Sequence, residues 1–317
     1  RQRLRNQPIG NSASSVAAGS QNALFVSNGT VQGWGLNDMG SLGGEVNLPA
    51  GSPVALAGVS NVVAAVTIDS LTIALRSDGT LWHWPGVVTY TTTGATSTPR
   101  QISGLSGVWR VVEGPTTSTN SSRLSPLFIK TDGTVWTLDS NVTTTSTPTG
   151  PVQTFGYTSR QITGLGSVDD LACQSDCLVL RRDGSVALWS NAQIPSGGTT
   201  VAVTATDVAG LSNIVSVAKT NNASVAVEAD GSLWTWGNPG ADTELGAGHG
   251  QAGNAVIGSP SLLSRLSGAK EASCSYIHCA VRLTNGQLWS WGRNSNGELG
   301  DGTTTNRFTP VQATGLS

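Results

Sequence analysis

Charge is scarce in this chain: of 317 residues, Asp, Glu, Lys and Arg make up 11%, less than half of the roughly 25% of an ordinary globular protein. The formal net charge of −2 leaves no basic face for nucleic acid. No run of 18 apolar residues occurs, so no segment is expected to insert in a membrane as a helix. Histidine is limited to His83, His249 and His278, and Met39 is the only methionine. No Ser/His/Asp order, paired-carboxylate spacing or His-x-x-His pattern recurs, so neither an enzyme, a cofactor nor a metal is expected. The Gly-rich stretches 237–240 and 246–253 are followed by no Lys-Ser/Thr and no helix, and so are not phosphate loops. Amphipathic helical periodicity is missing throughout. The chain opens on Arg-Gln-Arg-Leu-Arg, read as a processed piece whose targeting segment has gone.

Glycine, with 40 residues, and tryptophan, with 10, are what the chain has instead. Six segments repeat one pattern: an apolar run, Asn/Asp-Gly, then an apolar run carrying Trp. They centre on Asn28-Gly29, Asp78-Gly79, Asp132-Gly133, Asp183-Gly184, Asp230-Gly231 and Asn285-Gly286, with glycines 50, 54, 51, 47 and 55 residues apart. Asn-Gly and Asp-Gly suit type I′ hairpin turns, and Leu233-Trp-Thr-Trp236 and Leu288-Trp-Ser-Trp291 alternate as strands do. Gly-Leu-Ser-like punctuation separates further short strands, giving four per unit. The expected fold is therefore all-β, a β-propeller of four-stranded blades, six in number with seven as the alternative. Repeats span about 13–58, 59–104, 105–164, 165–210, 211–265 and 266–317 of a single propeller, 13–317. Residues 1–12 form a tail, a closing strand (Gln7-Pro8-Ile9 echoes Thr309-Pro310-Val311) or a linker to an absent anchor.

The last repeat, Leu288-Trp-Ser-Trp-Gly-Arg-Asn-Ser-Asn-Gly-Glu-Leu-Gly-Asp-Gly-Thr303, resembles the regulator of chromosome condensation family and its Trp-Gly-x-Asn-x-x-Gly-Gln-Leu-Gly motif. Gly33–Gly43 is similar, and Trp236-Gly-Asn238 with Glu244-Leu-Gly246 is looser. The resemblance implies a propeller, usually of seven blades, that works by binding other proteins, such as a small GTPase or a β-lactamase. The family's nuclear exchange role demands a basic face that this chain lacks.

Repeats two to four lose that motif loop. Pro/Ser/Thr/Gly-rich stretches replace it at Pro85–Pro99, Asp139–Thr158 and Asn191–Thr206, and Pro115–Ser125 is inserted in repeat three. These are read as loops, either solvated linkers or a contiguous binding surface. Cys173-Gln-Ser-Asp-Cys177 and Cys274-Ser-Tyr-Ile-His-Cys279 fall at the same turn of two repeats. Local disulfides are favoured over a four-thiolate zinc site or free thiols, and they imply an oxidising compartment. Trp34, Trp84, Trp136, Trp189, Trp236 and Trp291 are taken as one position packing between blades, with Trp82, Trp234 and Trp289 in the same layer. Polar tips at equivalent turns, Gln21, Asn22, Asp69, Ser70, Gln174, Asp176, Asn221, Asn222, Tyr276 and His278, ring the expected channel mouth. The residues expected to meet a partner are Tyr90, Asn141, Arg123, Asp176, Asn221, Tyr276 and His278. Sequons at Asn28, Asn120, Asn141 and Asn222 carry little weight in a chain read as bacterial.

The functional expectation is a non-enzymatic, extracellular or cell-surface binding module, adhesin-like on a pilus or fibre tip, with an extracellular protein or glycan as partner. Assembly into a surface appendage belongs to this expectation. A secreted inhibitor or ligand-binding propeller is the alternative. A hydrolase-like site at the channel mouth is the alternative from a different class.

Overall fold

The computed structural model describes residues 15–18, 22–47, 49–68, 70–115, 126–190, 192–195, 197–237, 257–275 and 277–315. Gln7-Pro8-Ile9, Gln21, Asp69, Arg123, His249, Tyr276, the 246–253 stretch and most of the Pro115–Ser125 insertion lie outside them. Every regular element among the described residues is a β-strand. None is a helix long and apolar enough to cross a membrane.

The chain divides into two compact units. The first comprises Arg1–Glu113, Asn120–Thr163 and Ile194–Val201; the second comprises Gly114–Thr119, Gly164–Gln193 and Ala202–Ser317. In the first unit, blade 1 is Ser15–Ala18, Asn22–Ser27, Thr30–Gly35 and Ala50–Ala55. Blade 2 is Val62–Ile68, Leu71–Arg76, Leu81–Thr91 and Gly94–Ile102, and blade 3 is Val108–Val112, Leu127–Lys130, Val135–Thr147 and Gly150–Thr163. In the second unit, blade 4 is Val168–Cys173, Cys177–Arg181, Val186–Trp189 and Thr206–Asp207. Blade 5 is Ile214–Lys219, Ala223–Glu228, Leu233–Gly237 and Ile257–Leu262, and blade 6 is Ala269–Cys274, His278–Leu283, Leu288–Gly292 and Arg307–Gln312. Each blade is an antiparallel meander in sequence order, as the recurring hairpin pattern predicts.

The central hairpins turn in two ways. Asn28 and Gly29 both have positive φ, 51° and 75°, the pair a type I′ turn needs. In the other five hairpins only the glycine is positive, so the type I′ expectation holds for blade 1 alone. There the turn is three residues long, as where Arg76 N donates to the Thr80 carbonyl and Gly79 N to that of Arg76. An Asx side chain holds such turns, in blade 6 through Asn285 Oδ1, which accepts from Gln287 N. Asp78 Oδ1 accepts from both the amide and the hydroxyl of Thr80, fixing an Asx turn, and Asp132 repeats this with Thr134. The first strands of blades 2 to 6 share a register slip at Val63, Trp109, Asp169, Val215 and Lys270. Trp109 is thus a bulge residue.

Hydrophobic packing runs from blade to blade inside each unit. Leu24, Val26 and Val31 of blade 1 pack with Val62, Ala74 and Trp84 of blade 2. Ile73 and Leu81 of blade 2 meet Val108, Phe128 and Leu138 of blade 3. In the second unit Leu178 and Leu180 meet Trp236, and Val225 and Leu233 meet Trp291. Trp84, Trp236 and Trp291 therefore serve as inter-blade packing, and the expected series needs one correction. Trp34, Trp84, Trp189, Trp236 and Trp291 stand five residues beyond the turn glycine, but Trp136 stands three beyond, level with Trp82, Trp234 and Trp289. Leu138 takes the five-residue position in blade 3, where it is 7% exposed. The outer tryptophans are half-buried, and three indole N–H groups reach local acceptors, Thr134 for Trp136, Glu228 for Trp234 and Gln287 for Trp289, while that of Trp82 has none among the described residues.

Candidate functional site

The recurring motif loop is a structural device. In blade 1 the buried Asn37 amide donates to the carbonyls of Gly43 and Glu45, and its Oδ1 accepts from Leu42 N. In blade 6 Asn294 donates to the carbonyls of Thr303 and Thr305 and accepts from Leu299 N. Leu42 and Leu299 are each 2% exposed. One asparagine and one leucine fold each loop onto its own blade, which explains the Asn-x-x-Gly-x-Leu spacing.

Where blades 2 and 3 lack that loop, their third and fourth strands run on. Pro85–Pro99 and Asp139–Thr158 were expected as loops, and the structure corrects this: both are β-hairpin arms. The blade 3 arm pairs without a break from Val135↔Ile162 to Thr147↔Gly150. In blade 2 the ladder jumps from His83↔Arg100 to Val87↔Thr98 and continues to Thr91↔Gly94. The tips share one chemistry, Thr91-Thr-Thr-Gly94 and Thr147-Pro-Thr-Gly150; in each the first threonine hydroxyl donates to the glycine carbonyl, at 3.0 and 2.6 Å. Threonine is β-branched and favours extended backbone once a partner strand is available. The two arms are partners for each other through Val87↔Thr154, Val88↔Gln153 and Thr89↔Val152.

The result is a ribbon in the first unit. One side is closed by Gly44–Glu45 from the blade 1 loop, which pairs with Ser97 and Thr96. The other side ends on the blade 3 strand, where Ser140 to Ser146 are all exposed. Side chains alternate across it: Val88, Ala95 and Ser97 are buried on one face, and Thr96, Thr98, Thr143 and Thr145 are exposed on the other. The root is polar and tightly held. Tyr157 meets the His83 ring edge-on with centroids 4.7 Å apart. His83 Nδ1–H donates to the Pro85 carbonyl at 2.8 Å, and burial, with Arg100 acting the same way, brings its pKa down to about 4. Arg160 is 1% exposed; its guanidinium donates to Asp139 Oδ1 at 3.0 Å and the Pro195 carbonyl at 2.6 Å. Asp139 Oδ2 also accepts from Gly197 N. Of the 191–206 stretch, residues 194–201 are thus tied to this root, and Thr200–Ala202 pairs with the Gly150–Thr163 strand.

Of the expected partner-binding residues, Tyr90 and Asn141 both stand on the ribbon, on different strands. Tyr90 is half-buried and its hydroxyl donates across the arms to Gln153 Oε1 at 3.1 Å. Asn141 is exposed on the open strand. Asp176 and Asn221 belong to turns of blades 4 and 5, and His278 opens the second strand of blade 6, all in the second unit. Cys173–Cys177 and Cys274–Cys279 are disulfide-bonded, so all four sulfurs are paired. The first bond closes the turn bearing Asp176, whose carboxylate lies 3.9 Å from the buried Lys219 ammonium of blade 5. Burial lowers the Lys219 pKa and Asp176 opposes that shift. Asn221 sits in a turn held by Thr220 Oγ1, which accepts from Asn222 N and Ala223 N. His278 lines a surface crevice with Thr220, Ala223, Ile277 and Trp291 that has no room for a water molecule and so offers no small-molecule pocket. Burial lowers its pKa, against an opposing pull from Glu298. Sequence reasoning missed Arg160 and His83 as ribbon anchors. The one available signal is that each shares its strand parity with a buried aliphatic, Ile162 and Leu81.

Blades of this design define the class, a β-propeller. Residues 285–317 and 270–298 each match a model described as Regulator of chromosome condensation (RCC1) repeat. The chain is thus a propeller with RCC1 repeats at its C-terminal end. E3 ubiquitin-protein ligase HERC2 of Homo sapiens is 32% identical over 95 residues, 29% of this chain and 2% of that protein. RCC1 domain-containing protein RUG3, mitochondrial, of Arabidopsis thaliana is 31% identical over 106 residues, 32% of this chain and 24% of that protein. The matched segments therefore span only a small part of either relative. Human WBSCR16 superposes with a TM-score of 0.69 at 18% identity, covering 96% of this chain and 82% of its own. Prp20p of Saccharomyces cerevisiae, described with its binding to Gsp1p and histones, gives 0.66 at 18% identity over 95% and 76%.

Proposed function

We propose that this propeller is a non-catalytic protein-binding module of an oxidising, extracellular or cell-surface setting, adhesin-like in role, and that the threonine face of the ribbon meets its partner. The observation that carries this reading is the ribbon itself. Two neighbouring blades give up the Asn-pinned loop, extend their strands in register and fuse. Such a surface is preorganised, so binding orders little chain. The anchoring of its root by His83, Tyr157, Arg160 and Asp139 supports a surface kept in one geometry. The description of Prp20p with Gsp1p and histones supports protein partners for this fold. Two disulfides within single turns support the compartment.

The test is capture from envelope extracts and culture supernatants on the immobilised chain, beside a Thr96→Lys/Thr98→Lys variant of the exposed face. Saturable capture of a protein that the variant loses is the expected result. Capture unchanged in the variant removes the ribbon from the reading, and capture of glycans alone replaces the protein partner.

A further inference from the structure

The ribbon has one open edge. Among the described residues, the 140–147 stretch pairs only with the 150–157 stretch. The hairpin closes at Thr147↔Gly150 across a two-residue loop, so hydrogen-bonded pairs fall at Thr147, Thr145, Thr143 and Asn141. The amides and carbonyls of Ser140, Val142, Thr144 and Ser146 therefore point outward. Pro151 agrees with this phase: it faces Ser146, where no amide of the partner strand is called on.

Unpaired edges invite association, and natural sheets blunt them with proline, charge or short strands. The outer strands of this chain follow that rule. Ala50–Ala55 contains Pro53, Ile257–Leu262 contains Pro260, and Arg307–Gln312 contains Pro310. Thr206–Asp207 is two residues long and charged. The Gly94–Ile102 strand carries Pro99 and is partly covered by Gly44–Glu45. Ser140-Asn-Val-Thr-Thr-Thr-Ser146 has no proline and no charge, and all seven residues are exposed.

We propose that this edge pairs antiparallel with the same edge of a second copy of the chain, about a two-fold axis at Thr143. Outward groups must face outward groups, and centring the pairing on Thr143 engages all four of them: Val142 faces Thr144 and Ser140 faces Ser146 as hydrogen-bonded pairs. Thr143 faces Thr143, and Asn141 faces Thr145, as the closer pairs without hydrogen bonds. Threonine opposite threonine is a favourable cross-strand pair, and no like charges meet. A foreign peptide finds no charge here to steer it and must be ordered on binding. A second copy brings a strand already held in shape by its own hairpin. The inference goes beyond the partner-binding role proposed above and stands apart from it, because self-association is read on the purified chain alone.

The experiment is sedimentation equilibrium of the intact chain with three variants. The wild type is expected to show a concentration-dependent monomer–dimer equilibrium. Thr143→Lys places two ammonium groups opposite each other and weakens the dimer by about fivefold or more, with thermal unfolding unchanged. Thr144→Pro removes an outward amide from each copy and abolishes the dimer. Under diamide, Thr143→Cys gives a cross-linked dimer, whereas Thr145→Cys, which faces Asn141, does not. A wild type monomeric to its solubility limit overturns the proposal. So do a dimer indifferent to Thr143→Lys and equal cross-linking at positions 143 and 145.

Discussion

Acid should loosen the ribbon at its root, and His83 sets where. Its ring is 1% exposed, donates to the Pro85 carbonyl through Nδ1 and stands edge-on to Tyr157. Burial first, and Arg100 second, hold its pKa at about 4 against an ordinary 6.5, while the Pro85 hydrogen bond opposes them. Between those values the unfolded chain takes up a proton that the folded chain refuses. The contribution is therefore neutral above pH 6.5 and destabilising as pH falls from 6.5 to about 4. That gap corresponds to about 3 kcal/mol. Urea unfolding of the wild type and His83→Gln at pH 7.5 and 4.5 isolates it. Asp78, Asp183 and Asp230 also sit below their ordinary value through hydrogen bonds with their turns, but they lose stability in a more acid window and do so equally in both proteins. The wild type should lose about 2.5 kcal/mol more than the variant over this range. Equal losses would refute the account of a proton-refusing imidazole at the ribbon root.

Further outcomes follow from the packing. Trp84→Ala empties a fully buried site between blades 1 and 2 and should cost about 3–5 kcal/mol by denaturant midpoint. Gly86→Ala places a methyl 2.3 Å from Arg100 N and 2.5 Å from the Pro99 carbonyl carbon. These are backbone atoms that cannot swing aside, so a loss of about 1–3 kcal/mol is expected, with amide exchange rising first in the blade 2 arm. Cys173→Ser/Cys177→Ser opens a loop of sequence separation 4 and should lower stability by about 2 kcal/mol, an increment that reductant removes from the wild type alone. Lys219→Met/Asp176→Leu replaces both members of an ion pair 3.9 Å apart whose ammonium is buried. Stability should be unchanged or higher by about 1–4 kcal/mol, and a clear loss in calorimetry would mark the Asp176 pair as a keystone of the second unit.

Much of this protein is legible from its chain order alone. Period-two alternation, turn glycines about 50 residues apart and the Trp positions are local patterns, and each blade is a local meander of adjacent strands. The disulfides were legible for the same reason, since each spans a single turn. Trp136 was misplaced because a count by residue type ignores the distance from the turn glycine, three residues for Trp136 and five for the others.

The ribbon could not be read in this way. Pro85–Pro99 and Asp139–Thr158 have the Pro, Gly, Ser and Thr content of loops, and nothing local distinguishes them from loops. They become strands because Val88 finds Gln153, 65 residues away, and because Tyr157 and Arg160 find His83 and Asp139. A β-strand is stabilised by its neighbours rather than by its own backbone preference. Local sequence thus determined the blades, their turns and their disulfides. Only the tertiary structure decided which threonine-rich segments pair, and which strand is left with an open edge.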